Sequence, residues 1–265
     1  DQPRSRGLGD VYKRQGILAM LNQLSAHGVD VCWGIHVYAG LESGKICVSA
    51  GPRMAGAAGV GIKVIGRGGH GSRPDMSVNP VFCAASILTN TATAWVNQIT
   101  AGRTVTLGVT SIQGGEAPNV IPDTADILGS LRFFNDEEGE KAVRIFKNVA
   151  EHTAAMNNCQ VQFDDRFCVL CAPVINDEYY SNLISTALPE VLPENVTVSS
   201  CEPWYASESF SCYRRICPSV LAHLGINNPS YGSGAAHHNG FFDVDEGVLS
   251  TGVISTLKFV AMLQK

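Results

Sequence analysis

The chain has 265 residues, of which 45% are hydrophobic and 16% are charged, and its formal net charge is -5. This composition is typical of a globular protein and excludes a largely disordered chain. The negative charge, and the lack of a basic segment interleaved with aromatic residues, argue against a nucleic-acid partner. No apolar run approaches the roughly 20 residues that span a bilayer, so we predict no membrane association.

The nine cysteines are scattered along the chain. This distribution favours reduced thiols, and hence a cytoplasmic protein, over a disulfide framework. Cys168 and Cys171 have the C-x-x-C spacing of some redox and metal sites. There is no second such pair, and residues 166–172 resemble a buried strand, so we favour a structural role for these two thiols.

Residues 1–15 are charged and unpatterned, and they contain no apolar core of a secretion signal. We interpret them as a non-native leader and expect the natural protein to begin further upstream. From Gly16 the apolar spacing predicts a helix, which Gly28 ends. Short strands are predicted over residues 31–37 and 45–49.

A compact unit follows, in which two helices alternate with four strands. Its predicted elements are a strand over 60–65, a glycine-rich loop over 66–71, a helix over 78–96, strands over 103–112 and 123–134, a helix over 137–156 and a strand over 159–163. The order β-α-β-β-α-β is that of a ferredoxin-like unit, with two helices on one face of an antiparallel sheet.

After Pro173 helices and strands alternate in a different pattern. The predicted elements are a helix over 177–191, a strand over 196–200, a short helix over 207–215, a buried strand over 220–224, a small-residue loop over 232–240 and a helix over 247–263. We therefore predict an α/β fold in which residues 16–55 and 168–265 form one domain, a mixed sheet flanked by helices. Residues 56–167 interrupt it as a lid domain.

Two segments of the first domain carry candidate metal ligands. His36 ends a buried strand, where open α/β sheets place functional groups, and imidazole is a common zinc ligand. The alternative is an ordinary core histidine. His237 and His238 lie in a loop of small residues that would allow close approach to an ion. Neighbouring side chains point in opposite directions, so at most one of them reaches the same metal, and a flexible polar loop is the alternative.

Other candidates are a histidine, an amide, an arginine and a carboxylate. His70 is flanked by glycines that could aim its imidazole outward, although a solvated hairpin tip would look the same. The loop lacks the residue order of a P-loop. Asn119 and Arg132 could bind an anion, or could be a turn cap and an exposed strand residue. Glu208 could simply be a carboxylate at a helix N-terminus.

Taken in order, these segments resemble the aminoacylase and carboxypeptidase G superfamily of dinuclear metallohydrolases. The nearest branch contains amidohydrolases acting on hippurate, indole-acetyl-amino acids, N-acyl-amino acids and aminobenzoyl-glutamate. The resemblance runs from Gly16 to Lys265, and the segments that carry it are Gly34–Val37, Gly68–Pro74, Asn119–Asp123, Leu131–Phe134, Ser207–Phe210 and His238–Asp243.

The resemblance implies metal-dependent hydrolysis of the amide bond of N-acyl amino acids or related small amides. It implies that His36 binds one of two divalent ions, zinc or manganese, and that His238 binds the other. His70, supplied by the partner subunit of a homodimer, would stabilise the oxyanion. Asn119 and Arg132 would hold the α-carboxylate of the substrate. The lid would be the dimerisation domain.

Two departures from the family pattern matter. The first metal-binding motif and a pair of glutamates, one of them the general base, are expected upstream of Gly16, so we expect this chain to be inactive by itself. The segment Ala206–Phe210 departs from the Gly-Gly-Glu-Asp-Phe of the nearest branch, which leaves the role of Glu208 open. A non-catalytic relative, and a small-ligand module built on the ferredoxin-like unit alone, are the alternatives.

Overall fold

The computed structural model describes residues 9–165 and 167–264. Its α-helices are α1 (Gly9–His27), α2 (Pro80–Gln98), α3 (Asp136–Met156), α4 (Glu178–Ala187) and α5 (Leu249–Leu263). Its strands are β1 (Cys32–Glu42), β2 (Ile46–Cys47), β3 (Gly51–Met54), β4 (Gly56–Ile65), β5 (Gly69–His70), β6 (Val105–Gln113), β7 (Val120–Ile121), β8 (Thr124–Phe133), β9 (Gln160–Phe163), β10 (Val169–Cys171), β11 (Val174–Asn176), β12 (Thr197–Val198) and β13 (Ser219–Asn227).

The chain divides into two compact units. Unit 1 contains the residues up to Met54, residues 174–204 and the residues from Glu208 onward, and unit 2 contains residues 55–173 and 205–207. Of the predicted leader, residues 1–8 lie outside the described residues, and helix α1 begins at Gly9.

Unit 2 contains the predicted ferredoxin-like arrangement. Strand β4 lies beside β8, and β8 lies beside β6. On its other edge β4 pairs with both β9 and β10, at different positions along its length. All of these pairs are antiparallel. Helices α2 and α3 both contribute buried residues to the core that covers this sheet. The β-α-β-β-α-β order is therefore confirmed.

The core of unit 2 is centred on Phe133, the last residue of β8, which is fully buried. Its ring lies directly over Gly56 of β4 and Gly139 of α3, and a Cβ atom at Gly139 would lie 2.5 Å from the ring. These two glycines let the sheet and the helix approach closely. Phe146 and Ile87, also fully buried, bring α3 and α2 into the same core.

The two helices of unit 2 differ in how well their buried faces were predicted. On α3, hydrophobic periodicity predicts an inward face of Val143, Phe146, Val149 and Ala150. Val143, Phe146 and Ala150 are buried, and Val149 is partly buried. On α2, hydrophobic periodicity predicts an inward stripe of Val81, Ala85, Leu88, Ala92 and Trp95. Only Leu88 and Trp95 of this stripe pack against the core. The buried residues of the helix are instead Pro80, Cys83, Ala84, Ile87 and Thr91. Helix α2 has no charged residue, and apolar side chains such as Phe82 and Val96 lie on its exposed side, so its hydrophobic pattern does not clearly select one face.

Unit 1 contains a mixed four-stranded sheet in the order β1-β13-β2-β12. Strand β1 is parallel to β13, β13 is antiparallel to β2, and β2 is parallel to β12. Helices α4 and α5 contribute to its core, which includes Ile46, Ile184, Leu188, Val220 and Phe259. The predicted mixed sheet flanked by helices is confirmed.

In the C-terminal helix the sequence predicts an apolar face of Val248, Val253, Leu257 and Val260. Val248 is buried, but the other three residues are exposed. Val253, Leu257 and Val260 are 59%, 63% and 45% exposed, whereas Phe259 is buried and stacks on Trp33 with ring centroids 4.7 Å apart. By length and composition alone, residues 246–263 would suffice to span a membrane, contrary to the expectation from the sequence. One such helix is weak evidence, because helices of soluble proteins pass the same test.

The segment around Cys168 and Cys171 is not the fully buried strand that the sequence predicted. Strand β10 has three residues, all partly exposed, and the Cys168 side chain is exposed. Residue 166 lies outside the described residues. The strand is short because it pairs irregularly with Ala57 and Ala58 at the edge of β4.

Candidate active site

The centre of unit 1 is the parallel ladder between β1 and β13. In its register His36 pairs with His223, so the two imidazoles leave neighbouring strands on the same face of the sheet. Tyr38, two residues along β1, lies on that face as well, with its ring centroid 5.0 Å from that of His223. The ladder therefore gathers aromatic and imidazole side chains at one place.

Glu208 reaches His36 because Gly34 has no side chain. A Cβ atom at Gly34 would lie 2.7 Å from the Phe210 ring, so the ring occupies the space above β1 two residues before His36. Glu208 caps the short 3₁₀ helix Ser209–Arg215, and its Oε1 accepts hydrogen bonds from the backbone N–H and the hydroxyl of Ser209. Its Oε2 then lies 3.9 Å from Nε2 of His36.

The hydrogen bonding of His36 suits a metal ligand. Its Nδ1 lies 2.7 Å from the carbonyl oxygen of Val37, which requires a hydrogen on Nδ1 and leaves the Nε2 lone pair free. Imidazoles that bind metals usually donate their other N–H in this way. A lone pair that faces a carboxylate also favours a cation at this point. Among the described residues, however, no group of three His, Cys, Asp or Glu side chains is assembled that could hold a metal ion.

His237 lies close to His36, whereas its neighbour in the sequence, His238, is exposed. Its ring centroid is 5.6 Å from that of His36 and 4.3 Å from that of Trp204. The backbone N–H of Ala39 donates to Nε2 of His237 at 3.3 Å, so this nitrogen is already engaged. Burial, followed by the nearby His36 and His238, lowers the pKa of His237, which keeps the imidazole neutral.

His238 is exposed and has a positive φ of 63°, in the left-handed region that few non-glycine residues adopt. The structure therefore places His36 and His237 together and leaves the assignment of His238 as a metal ligand a prediction.

His223 is a fully buried histidine that the sequence analysis did not single out. Burial lowers its pKa to about 4, with further contributions from Arg53, His36 and His237. Its Nδ1 lies 3.6 Å from the Cys201 thiol, and its Nε2 has no hydrogen-bond partner. In the sequence it interrupts an apolar strand, but only the register shows that it lies beside His36.

In unit 2, His70 and Asn119 are neighbours. Strands β5 and β7 pair His70 with Val120, and the Gly71 N–H donates to the Asn119 carbonyl at 2.8 Å. Glycines are needed beside β7, because a Cβ atom at Gly68 would lie 2.8 Å from the Ile121 carbonyl oxygen and one at Gly71 would lie 3.1 Å from the Asn119 carbonyl oxygen. The backbone N–H of Ser72 donates to Nδ1 of His70 at 3.1 Å, so the hydrogen of the neutral ring is on Nε2. The exposed face of His70 is thus a hydrogen-bond donor.

Arg132 lies at the other end of β8. Thr124 begins this strand shortly after β7, which pairs with β5 at His70, and Arg132 is eight residues further along. At about 3.4 Å per residue, the strand separates them by about 27 Å. Arg132 is partly exposed, and its Nη1 donates to the carbonyl oxygen of Leu131. One copy of unit 2 therefore cannot bring Asn119 and Arg132 to the same small anion.

Comparison with known proteins matches one part of the chain to a family model. Residues 54–157 match the peptidase dimerisation domain of the M20 family. The chain thus carries an M20 peptidase dimerisation domain, and its relatives include carboxypeptidases, IAA-amino acid hydrolases and an N-acyl-L-amino acid amidohydrolase. The resemblance inferred from the sequence is confirmed.

Two relatives and one solved structure illustrate the match. Thermostable carboxypeptidase 2 of Saccharolobus solfataricus is 28% identical, and the alignment covers 91% of this chain and 60% of that protein. IAA-amino acid hydrolase ILR1-like 4 of Arabidopsis thaliana is 26% identical over 95% of this chain and 56% of that protein. A dinuclear metal-binding M20 peptidase of Bacillus subtilis is 24% identical with a TM-score of 0.73, covering 92% of this chain and 60% of that one. The chain thus spans about 60% of the length of the carboxypeptidase it matches.

Proposed function

We propose that the protein containing this chain is a metal-dependent amidohydrolase that cleaves the amide bond of N-acyl amino acids or related small amides. The observation that carries the proposal is the pairing of the free His36 Nε2 with the Glu208 carboxylate at 3.9 Å. Imidazole and carboxylate together are the donor types that zinc and manganese bind. The names of the relatives, which are peptidases and amidohydrolases, support the reaction class.

Two divalent ions are proposed, with His36 holding one and His238 the other. The donor types fit, while the described residues supply too few to complete a set, so further ligands are part of the proposal. His238 is preferred to His237 because the Ala39 N–H already occupies Nε2 of His237. When bound, such ions polarise a scissile carbonyl and lower the pKa of bound water.

His70 is proposed to donate a hydrogen bond to the oxyanion formed when the carbonyl is attacked. The support is its tautomer, because Ser72 donates to Nδ1 and leaves the hydrogen on the exposed Nε2. Removing one such donor typically costs about 3–4 kcal/mol of transition-state stabilisation. His70 is exposed and has a glycine on either side, Gly69 and Gly71.

Asn119 and Arg132 are proposed to bind the α-carboxylate of the substrate. Because they lie at opposite ends of β8, the proposal requires two copies of the chain, each giving one of these residues to a given site. The match to a dimerisation domain supports a homodimer of this kind.

Metal binding can be tested directly on the 265-residue chain. Titration calorimetry with zinc and with manganese should show binding that His36→Ala weakens at least tenfold, because a ligand nitrogen is lost. His152→Ala is the matched control, since this exposed histidine of α3 lies in unit 2. Equal affinities of wild type and His36→Ala would show that His36 is not a ligand.

The reaction is tested in the protein that contains this chain, by measuring amino acid release from hippurate and N-acetylated amino acids. We expect His36→Ala and His70→Ala each to abolish release. Mixed copies of the two variants should recover part of the activity if His70 serves the site of a partner copy. Failure of the mixture to recover activity would refute the shared site, and no metal-stimulated release by wild type would refute the proposed function.

A further inference from the structure

Two cysteines far apart in the sequence are in contact in unit 1. The thiols of Cys32, the first residue of β1, and Cys217, shortly before β13, have their sulfur atoms 3.4 Å apart, across a sequence separation of 185 residues. The backbone holds both sides of this contact, since the Cys32 N–H donates to the Pro218 carbonyl at 2.9 Å and Cys32 pairs with Ser219 in the ladder. The contact is therefore fixed by the fold.

A disulfide bond at this point requires little movement. The sulfur–sulfur bond length is about 2.05 Å, so the two sulfur atoms need to approach by roughly 1.4 Å. Cys217 is 8% exposed, whereas Cys32 is only partly buried and is the thiol that a reagent can reach. Both residues are free thiols in the structure.

We propose that Cys32 and Cys217 are a dithiol site that a small disulfide such as oxidised glutathione converts into a disulfide. The Cys32 thiolate attacks one glutathione sulfur and releases the first glutathione thiolate. The Cys217 thiolate then attacks the sulfur of Cys32 in this mixed disulfide and releases the second. The protein loses two protons and two electrons, and oxidised glutathione gains them as two reduced molecules.

The bond would tie the start of β1 to the segment that leads into β13. These are the two strands whose register sets His36 beside His223. A covalent link across so long a loop restricts the unfolded chain more than the folded one, so oxidation should stabilise unit 1. The inference concerns the thiols alone and does not depend on the proposed hydrolysis.

The rate of oxidation should be low at neutral pH and should rise with pH. Burial, with the hydrogen bond to Cys217, raises the pKa of the Cys32 thiol to about 12, and only the thiolate attacks. Below that pKa, each unit by which the pH rises should therefore increase the rate about tenfold. Cys83 and Cys159, which also contact each other, are 0% and 7% exposed inside unit 2, so they form an internal comparison that should stay reduced.

The test is oxidation of the folded 265-residue chain with oxidised glutathione at pH 7, 8 and 9, followed by alkylation in denaturant and peptide mass mapping. We expect a peptide pair linked through Cys32 and Cys217, formed faster at each higher pH. The linked chain should unfold at a higher urea concentration, and dithiothreitol should reverse the shift.

Two variants complete the test. Cys217→Ser should remove both the link and the shift, whereas Cys212→Ser, another buried cysteine of unit 1, should keep them. The mapping of wild type decides the question even where a variant fails to fold. Separate alkylation of Cys32 and Cys217 after oxidation, or linkage of Cys83 to Cys159 at the same rate, would overturn the proposal.

Discussion

The two units differ in whether all of their buried polar side-chain atoms have hydrogen-bond partners. Unit 2 has one core around Phe133, formed by the sheet and both helices. In unit 1 the core is split into smaller clusters. The described residues contain four buried side-chain polar atoms without a hydrogen-bond partner, and all of them lie in unit 1, at Arg53, Ser181, Thr197 and His223.

This difference separates a unit whose interior serves packing from one whose interior also holds polar groups near the candidate site. Native proteins pair almost all buried polar atoms, so an unpaired one calls for an explanation. His223 lies beside His36, and Arg53 lies beside Cys201, so two of the four atoms are close to the candidate site. Unit 1 thus keeps polar groups near the site at a cost in stability that unit 2 does not have.

The largest effect is expected from Phe133→Ala in unit 2. Removing a fully buried phenylalanine leaves a cavity and should lower the free energy of unfolding by about 3–5 kcal/mol. Urea denaturation gives the magnitude, and hydrogen exchange should locate the loss in unit 2. Equal loss of protection in unit 1 would mean that the two cores are not separate.

The next largest effect on stability is expected from Gly139→Ala in unit 2. In most helices this change stabilises, but here the new Cβ would lie 2.5 Å from the Phe133 ring, so we expect a loss of about 1–3 kcal/mol. Gly16→Ala in α1 is the matched control, because nothing lies within 4 Å of its new Cβ. A gain in stability at both positions would contradict the packing described for Phe133.

Glu138→Gln should remove about 1–2 kcal/mol from unit 2 at neutral pH, because the buried carboxylate accepts hydrogen bonds from Thr100 and Lys141. The hydrogen bond from the Thr100 side chain, with smaller effects from its backbone N–H and Lys141, lowers the pKa of Glu138 below its ordinary 4.5. The carboxylate therefore stabilises the fold fully above pH 4.5, and this contribution disappears as the pH falls through the lowered pKa. Urea curves of wild type and variant should converge in acid. Glu140→Gln, at an exposed position, should change little at any pH.

The smallest effect is expected from His223→Phe in unit 1. The change removes a buried nitrogen without a partner and keeps an aromatic ring against Tyr38, so stability at neutral pH should change by less than about 1 kcal/mol. The reverse exchange in unit 2, Phe133→His, should cost about 3 kcal/mol or more, since it buries an unpaired polar group. Similar losses of stability for the two exchanges would contradict the proposed difference between the units.

The sequence predicted the elements of unit 2 well and the faces of some helices poorly. The α3 pattern selects one face because charged residues cover the other, whereas α2 has no charged residue and exposes apolar side chains such as Phe82 and Val96. In α5 the buried positions include Gly252 and Ser255, which allow close packing but carry little hydrophobic signal. Small residues at such positions allow two elements to pack closely, and a pattern of hydrophobic residues does not reveal this kind of packing.

The sequence named candidate site residues one at a time, but it did not predict which of them come together. The spacing of glycines and histidines indicated His36 and His70, and the positions of both are now described. The contact of Glu208 with His36 depends on Phe210 filling the space above Gly34, and the separation of Asn119 from Arg132 depends on the length of β8. Neither could be obtained from spacing alone, since each depends on packing or on pairing between distant strands.

By itself the sequence determined the order of helices and strands, because hydrophobic periodicity and glycine or proline breaks are local properties of the chain. Only the tertiary structure decided which side chains meet. The register of β1 against β13 joins residues nearly two hundred positions apart and places His36 beside His223 and Cys32 beside Cys217. A shift of one residue would turn each of these side chains to the other face, so the register fixes the site.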